Sequence, residues 1–346
     1  MLSRARVQRA TTPASEGGAD KLRVMRAPIT LDLHLPNFNY PGVPPEQVFE
    51  KLVEIAHAAE RSGFSSISVM DHLHQIPGVG PQTSWMFEAN TMLAALAART
   101  SSVALGALVG GVTYRNPALL AKMTTTLDII SGGRAWLGIG AAWFEAEHRA
   151  YGFDFPPLKE RFERLEETLQ IARAMFTQET VTFAGKHYRA EEALNNPKPL
   201  RGDIPIVIGG SGERKTLRMV AQYADGCNVS GDPATAKHLI DVLHGHCEAA
   251  RRDPAEITKT RMGTVAVAPT HEAAMAKLES MKARGLPDRV VAAVMAGDPD
   301  SVGEQATQFL DAGIEGMTIW LHDVHDLEAV ELAGRAIAPV FAARIS

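Results

Sequence analysis

One pattern of hydrophobic and polar positions recurs along this chain: an amphipathic helix, then a glycine or serine, then a short apolar strand. It is visible in EIAHAAERSGFSSISVMD, in TLDIISGGRAWLGIG and in QATQFLDAGIEGMTIWLHD. A glycine just after a helix adopts the left-handed conformation without steric strain. The strands are continuously apolar, which is typical of strands covered by helices on both faces. The repetition therefore predicts alternating β and α units around a parallel sheet.

The pattern contains eight candidate strands. They span residues 29–35, 66–70, 103–109, 135–139, 206–208, 227–229, 262–267 and 316–320. Eight such units favour a closed (β/α)8 TIM barrel. An open, doubly wound sheet is the alternative, and the absence of a GxGxxG motif after the first strand argues against it.

Two stretches depart from the alternation, one after the fourth helix and one between strands seven and eight. In the first, VTFAGKHYR predicts a β-hairpin around Ala184 and Gly185. The second covers about 270–300 and holds two helical runs broken at Gly285 and Pro287. Because barrel loops at the active-site rim carry function, we expect both stretches to be insertions near that rim. A plain structural insertion is the alternative.

The first 28 residues differ from the rest of the chain in composition. They are polar, contain several arginines and hold few large apolar residues. They lack the apolar segment of a secretory signal. Such a composition buries too little apolar area to become ordered. We therefore expect residues 1–28 to be a disordered or loosely attached extension, and residues 29–346 to form one barrel domain.

Overall composition narrows the class of protein. The chain has 346 residues, 45% of them hydrophobic and 22% charged, which provides for a large core. With a formal net charge of −5 and no basic block in the body of the chain, nucleic acid and anionic membranes are not expected partners. The only cysteines, Cys227 and Cys247, exclude a disulfide framework. No apolar run approaches the roughly 18 residues of a membrane helix. We expect a cytoplasmic protein that acts on a small molecule.

The charged run at 161–167 has helical spacing and predicts a solvated face.

Candidate chemistry lies just after the predicted strands, because the carboxyl ends of barrel strands build the site. Asp71 and His72 follow strand two, and a histidine exchanges protons near neutral pH, so both are candidate catalytic residues. A solvated loop pair is the alternative. After strand five, GGSG at 209–212 precedes an apparent helix over 213–223, which predicts a phosphate cradle. An ordinary turn with Ser211 as helix N-cap is the alternative.

The ends of strands three and four are rich in small residues. Bare backbone there leaves room for a bulky planar ligand, and side chains for proton chemistry are nearly absent. Such a wall is more typical of a cofactor site than of a hydrolytic dyad. The predicted cofactor-binding residues are Leu108, Val109, Gly110, Gly140, Ala141, Ala142, Gly209, Gly210, Ser211 and Gly212.

Three other chemistries fit less well. His72 and His74, with Asp323 after strand eight, resemble part of a metal-dependent hydrolase site, but strands five and six end without a histidine. A glycosidase needs two facing carboxylates, whereas Glu272 is displaced into a helix away from Glu145. A serine nucleophile lacks its GxSxG elbow. We therefore predict no metal.

The stretch from Val103 to Gly152 resembles the bacterial luciferase-like flavin and deazaflavin oxidoreductases. The resemblance rests on a helix that ends in an LDxxSxGR pattern and on the Gly-rich strand after it. The matching residues are Leu127, Asp128, Ser131, Gly133, Arg134, Gly138, Gly140 and Ala142. ALNNPKP and PIVIGGSGERKTLRMVAQYADGCNV extend the match, which covers about 29–340. PGVPPEQ, MDHLHQIPGVG and ERFERLEETLQ resemble the branch that uses coenzyme F420.

This resemblance implies a (β/α)8 barrel, a homodimer, and a flavin-type cofactor at the carboxyl ends of the strands. It implies an F420-dependent oxidoreductase that transfers a hydride to or from a small organic substrate. An FMN-dependent monooxygenase and a non-catalytic F420 carrier are the alternatives. It also implies a non-prolyl cis peptide within 107–109, His72 near the reactive ring edge, and a phosphate loop at 209–212. Trp143 stands near the position of a glutamate in F420-linked sugar-phosphate dehydrogenases, which argues against sugar-phosphate oxidation.

Overall fold

The computed structural model describes residues 26–283 and 288–342. Its strands, in chain order, are β1 Leu31–Leu35, β2 Ser66–Val69, β3 Ala104–Ala107, β4 Gly110–Gly111, β5 Leu137–Gly140, β6 Thr180–Ala184, β7 Arg189–Leu194, β8 Ile206–Gly209, β9 Gly226–Val229, β10 Thr258–Val267, β11 Met295–Gly297 and β12 Gly316–Leu321. Its α-helices are α1 Val48–Arg61, α2 Ala89–Ala97, α3 Pro117–Ser131, α4 Glu145–Tyr151, α5 Leu158–Thr177, α6 Thr216–Tyr223, α7 Pro233–Ala250, α8 His271–Ala283, α9 Asp288–Val291, α10 Pro299–Asp311 and α11 Leu327–Ala342.

Parallel strands form a closed barrel. Their order is β3-β2-β1-β12-β10-β9-β8-β5, and β4 continues β3 beside β5. The ring closes where Leu105 of β3 pairs with Ala135, just ahead of β5. The Trp136 backbone N–H donates to Leu105 O over 3.1 Å at this junction. All eight predicted strands are present among the described residues, and the predicted (β/α)8 barrel is confirmed.

The seventh barrel strand is longer than predicted. β10 begins at Thr258, four residues before the apolar run that indicated it. Its early residues are polar yet buried, and Lys259 reaches Glu315 over 3.2 Å. Because charge pairing and backbone ladders replace apolar packing here, a hydropathy pattern places the start of this strand too late.

Both predicted departures from the alternation are present. β6 and β7 form an antiparallel hairpin, which confirms the first. Its turn is held by Glu167 of α5, which accepts backbone N–H bonds from Lys186 over 2.7 Å and Tyr188 over 2.8 Å. The second contains α8 and α9, and it adds β11 parallel to the end of β10. The predicted break at Gly285 and Pro287 lies outside the described residues.

The barrel interior combines one large aromatic side chain with a layer of polar ones. Trp136 is fully buried, and a Cβ at Gly106 would lie 2.4 Å from its ring. Its indole N–H donates to Ser66 Oγ over 3.1 Å. Asn228 donates to Thr260 Oγ1 over 2.9 Å. Buried polar groups are tolerated when they are paired in this way.

The chain is already packed against the barrel at Arg26. Arg26 forms an ion pair with Glu315 over 2.5 Å, and Ala27 is buried. The Thr258 hydroxyl donates to Ala27 O over 3.2 Å. Packing therefore begins before the end of the predicted 1–28 extension, whose first 25 residues lie outside the described ones. Among the described helices, none combines the length and apolarity required to cross a membrane.

Candidate active site

A cavity of about 530 Å³ opens at the carboxyl ends of the barrel strands. This volume lies in the usual range of small-molecule sites. Most of the predicted site residues line it: Asp71, His72, Leu108, Val109, Gly110, Gly140, Ala141, Ala142, Gly209 and Gly210. Ser211 and Gly212 are not among its lining residues. His34, Trp320 and other residues without a predicted role complete the wall.

The glycines at the ends of β5 and β8 make room for one side chain. A Cβ at Gly140 would lie 3.0 Å from Val109 Cγ2, and one at Gly209 would lie 2.9 Å from both methyl carbons of Val109. The peptide bond between Leu108 and Val109 is cis, at the place the resemblance implies. The wall is therefore formed by Val109 seated on glycine backbone, rather than by bare backbone alone.

His72 is held by a buried carboxylate. Its Nδ1 lies 2.6 Å from Glu147 Oε1, and the carboxylate also accepts the Leu73 backbone N–H over 2.7 Å. The Tyr114 hydroxyl donates to the same Oε1. Burial alone would raise the pKa of Glu147, but these hydrogen bonds outweigh it and the pKa lies below its ordinary value.

The ionised state of Glu147 fixes how the His72 ring can act. A carboxylate only accepts hydrogen bonds, so Nδ1 of His72 carries a hydrogen. Nε2 is then the ring nitrogen available to a ligand in the cavity. Burial and the neighbouring Glu147 raise the pKa of Tyr114, which keeps its hydroxyl a donor. The arrangement can hold a polar group of a substrate or exchange a proton with it.

Asp71 faces a different partner. Arg115 donates to both carboxylate oxygens of Asp71, over 2.6 and 2.9 Å, and also pairs with Glu88. The Gly111 backbone N–H lies 3.3 Å from the Asp71 carboxylate. Burial raises the pKa of Asp71, and the Arg115 guanidinium opposes that rise. Asp71 thus holds the Gly-rich backbone after β3, while Glu147 orients the ring of His72.

The loop after β5 is fixed by an arginine that was predicted to be solvated. Arg161 is only 8% exposed, and it donates to Ala141 O over 3.2 Å and Pro156 O over 3.0 Å. Its guanidinium carbon lies 4.2 Å from the centre of the Phe155 ring. The prediction of a solvated face was wrong for Arg161, because the loop carbonyls and an aromatic ring replace water around this charge.

Two of the four residues of the predicted phosphate cradle lie at the cavity. Gly209 and Gly210 line the cavity, and Gly210 has a φ of +128°, which favours glycine. The following helix begins at Thr216, three residues later than predicted. Ser211 is not its N-cap, because its Oγ accepts the Ser230 backbone N–H over 3.1 Å. The cradle therefore remains a prediction, and the N-cap alternative is wrong.

The residues of the metal alternative do not come together. His74 Nδ1 lies 3.2 Å from the Gln82 amide, and Asp323 pairs with Lys277 over 2.6 Å. Over residues 26–283 and 288–342, no group of three or more histidine, cysteine or acidic side chains has the geometry to hold a metal ion.

Three residues that line the cavity or contact its lining were not predicted from the sequence: Glu147, Tyr114 and His34. Glu145, the candidate carboxylate after strand four, has a side chain that is 60% exposed, whereas Glu147 is fully buried. The two glutamates lie in the same short helix, and local periodicity does not separate them. Only the contact with His72, 75 residues earlier in the chain, distinguishes Glu147.

Comparisons with known proteins place the chain in a family. A family model described as luciferase-like monooxygenase matches residues 30–320. The F420-dependent glucose-6-phosphate dehydrogenase of Segniliparus rotundus is 28% identical over 320 residues, covering 84% of this chain and 93% of that protein.

Two solved structures share the fold at low identity. The coenzyme F420-dependent tetrahydromethanopterin reductase of Methanopyrus kandleri has a TM-score of 0.73 at 19% identity, covering 91% of this chain and all of that one. The oxygenating constituent of 3,6-diketocamphane monooxygenase from Pseudomonas putida, in complex with FMN, has a TM-score of 0.71 at 20% identity, covering 90% and 98%. By the family match, the chain belongs to the luciferase-like monooxygenase family and is an oxidoreductase enzyme.

Proposed function

We propose that this protein is an F420-dependent oxidoreductase that transfers a hydride between the deazaflavin coenzyme and a small organic substrate. The observation that carries the proposal is the cavity at the strand ends, which is lined by Val109 and by a His72 whose ring is held by Glu147. The relative from Segniliparus rotundus, 93% of whose length is matched, is named F420-dependent, and this supports the choice of coenzyme. When bound, the coenzyme supplies the hydride chemistry, and the protein supplies placement and electrostatics.

The residues present fit such a group. Leu108, Val109 and Gly110 would back the ring, and Ala141 and Ala142 would border it. A phosphate would lie at Gly209–Gly212, where the backbone of Gly210 is exposed and the N-terminus of α6 is near in sequence. Ser211 and Gly212 adjoin the cavity wall rather than line it, so a phosphate there would extend outward from the ring.

His72 is the residue we place next to the reacting atoms. Its Nε2 would exchange a proton with the substrate or hold it at the ring edge, while Glu147 keeps Nδ1 occupied. Asp71 acts as a positioning residue through Arg115 and the Gly111 backbone. Each of these roles depends on contacts made by the chain itself.

The cavity wall favours a substrate with an apolar body. Ile76, Val79 and Trp320 line it, and the Trp143 ring lies 5.5 Å from the His72 ring, edge to face. Trp143 is 58% exposed at the rim. Because an indole stands near the position where the sugar-phosphate enzymes carry a glutamate, we do not propose glucose 6-phosphate as the substrate.

An FMN-dependent monooxygenase is the second candidate. It is favoured by the family description and by an FMN-containing structural neighbour, since the same wall would receive an isoalloxazine ring.

Equilibrium binding separates the two candidates. We expect purified protein to bind F420 with a dissociation constant in the micromolar range or below, and FMN at least about 100-fold more weakly. Coenzyme fluorescence measures both. The exposed Glu145→Gln variant is the control and should bind F420 like the wild type. Tight binding of FMN alone would overturn the F420 proposal, and binding of neither would overturn both.

We also propose a homodimer, which the family resemblance implies. Light scattering after size exclusion should give about twice the chain mass of 37.3 kDa. A mass equal to one chain at micromolar concentration would contradict it.

A further inference from the structure

A second histidine reaches the same cavity from the barrel interior. His34 of β1 lines the cavity and is 2% exposed. Its Nδ1 lies 2.9 Å from the Ser68 hydroxyl, and that hydroxyl lies 2.6 Å from Asp32 Oδ2. Asp32 and Ser68 are fully buried. The three side chains form a chain of hydrogen bonds from the cavity into the barrel.

The direction of this chain follows from the number of hydrogens available. An ionised Asp32 only accepts, so Ser68 donates its single hydroxyl hydrogen to Asp32. Ser68 must then accept from Nδ1 of His34, which leaves Nε2 of His34 with a lone pair. If Asp32 is protonated on Oδ2 instead, both bonds reverse: Oδ2 of Asp32 donates to Ser68, Ser68 donates to Nδ1, and Nε2 carries the hydrogen.

Within this chain the surroundings favour Asp32 over His34 as the group that holds a proton. Burial raises the pKa of Asp32 to about 6, although the hydroxyls of Ser66, Ser68 and Thr318 lower it in part. Burial lowers the pKa of His34 to about 3, and the nearby His72 lowers it further. These hydroxyls come from the two strands that flank β1, and His72 is the titratable neighbour that acts on His34. The ring of His34 therefore passes a proton without keeping a charge.

The two carboxylates that pair with these histidines, Glu147 directly and Asp32 through Ser68, have pKa values changed in opposite directions. Glu147 beside His72 has a lowered pKa and stays ionised, whereas the pKa of Asp32, which reaches His34 through Ser68, is raised to about 6. Neighbouring groups whose environments push their pKa values apart commonly divide acid and base roles. His34 and His72 are therefore not duplicates of one another.

We propose that Asp32, Ser68 and His34 form a proton relay that exchanges the hydroxyl proton of an alcohol substrate between the cavity and the barrel interior. This proposal rests on the proposed function. On oxidation, the substrate's C–H hydrogen leaves with its electron pair to the coenzyme, and the electron pair of the O–H bond becomes part of the new C=O bond. The hydroxyl proton goes to His34 Nε2, the Nδ1 proton goes to Ser68, and the Ser68 hydrogen goes to Asp32. Reduction of a carbonyl reverses each transfer.

The relay is tested without coenzyme by ¹⁵N NMR of the full chain labelled at histidine. The signals of His34 are assigned by their loss in His34→Gln. We expect the Nδ1–H tautomer at pH 8 and the Nε2–H tautomer at pH 5, with a midpoint near 6. If the tautomer of His34 in the wild type does not change with pH, or if its ring becomes cationic over this range, the proposal is overturned.

Variants identify the members of the relay. Asp32→Asn and Ser68→Ala should each abolish the switch. Thr318→Val is the matched control, since it removes a hydroxyl beside Asp32 that does not lie between Asp32 and His34, and it should keep the switch. A switch that survives in Asp32→Asn would assign the titration to another group and refute the relay.

Kinetics test the role in turnover. With F420 and an alcohol that the wild type oxidises, Asp32→Asn should lower kcat by roughly 10²-fold, with KM and F420 affinity within about twofold. The acid limb of the pH profile should disappear. Unchanged kcat with an unchanged pH profile would refute the relay, whereas failure of the wild type to bind F420 would refute the proposed function and leave the NMR result to be judged by itself.

Discussion

The buried carboxylate inside the barrel should make stability depend on pH in a specific direction. Asp32 has its pKa raised from the ordinary 3.8 to about 6 by burial. The native state therefore holds this proton more tightly than the unfolded chain does. Its contribution to stability is complete below about pH 4 and is lost as pH rises to about 6.

The magnitude follows from the same change in pKa. A rise of this size corresponds to about 3 kcal/mol at 1.36 kcal/mol per pKa unit. Asp32→Asn removes the titration. We expect the free energy of unfolding of the variant, minus that of the wild type, to increase by up to about 3 kcal/mol between pH 4 and pH 7. Buried His34, with its lowered pKa, has the opposite dependence in both proteins, so the difference between them is the diagnostic quantity.

Urea unfolding followed by tryptophan fluorescence measures this difference at half-unit steps of pH. Glu145→Gln removes an exposed carboxylate and is the control, for which the difference should stay nearly constant. A difference for Asp32→Asn that is flat over pH 4 to 7, or that falls as pH rises, would refute the reasoning.

Three further predictions concern the site and the core. His72→Ala should lower turnover by roughly 10²-fold or more while leaving F420 affinity within a few-fold, because it removes the proton-exchanging group but not the wall; steady-state kinetics with parallel binding checks this, and unchanged turnover would remove His72 from the mechanism. Ser211→Asp should weaken F420 binding by placing a negative charge beside the phosphate, as measured by calorimetric titration, and unaffected binding would rule out the cradle. Gly106→Ala should lower stability by about 1–3 kcal/mol, because its Cβ would lie 2.4 Å from the Trp136 ring; a melting temperature equal to that of the wild type would show that the barrel repacks freely.

The architecture of this chain could be predicted because its signals are local and repeated. Each repeated unit predicts one strand of the barrel, and the count of eight strands predicts that the barrel closes. The residues after each strand then follow from the rule that barrel sites lie at strand carboxyl ends. Asp71, His72 and the glycines of β5 and β8 were placed in the cavity wall by this reasoning, and the family resemblance located the cis peptide.

What the sequence left open depends on contacts between distant segments. Glu147 and Glu145 share one short helix, and only the position of His72 makes one of them a buried partner. Arg161 belongs to a charged helical run, and it is the loop carbonyl of Ala141 that buries it. Asp32 and His34 alternate with leucines in β1, and only Ser68 on the next strand connects the two side chains.

The helix α5 gives the hairpin a mechanical connection to the cavity. Arg161 near its start holds the carbonyls behind Ala141, and Glu167, about 9 Å further along, holds the hairpin turn at Lys186. One helix thus connects the loop at Ala141 with the hairpin turn at Lys186. Shortening or exchanging the hairpin to alter specificity would displace the cavity wall at Ala141 through this helix, so such a redesign must preserve the Glu167 contact.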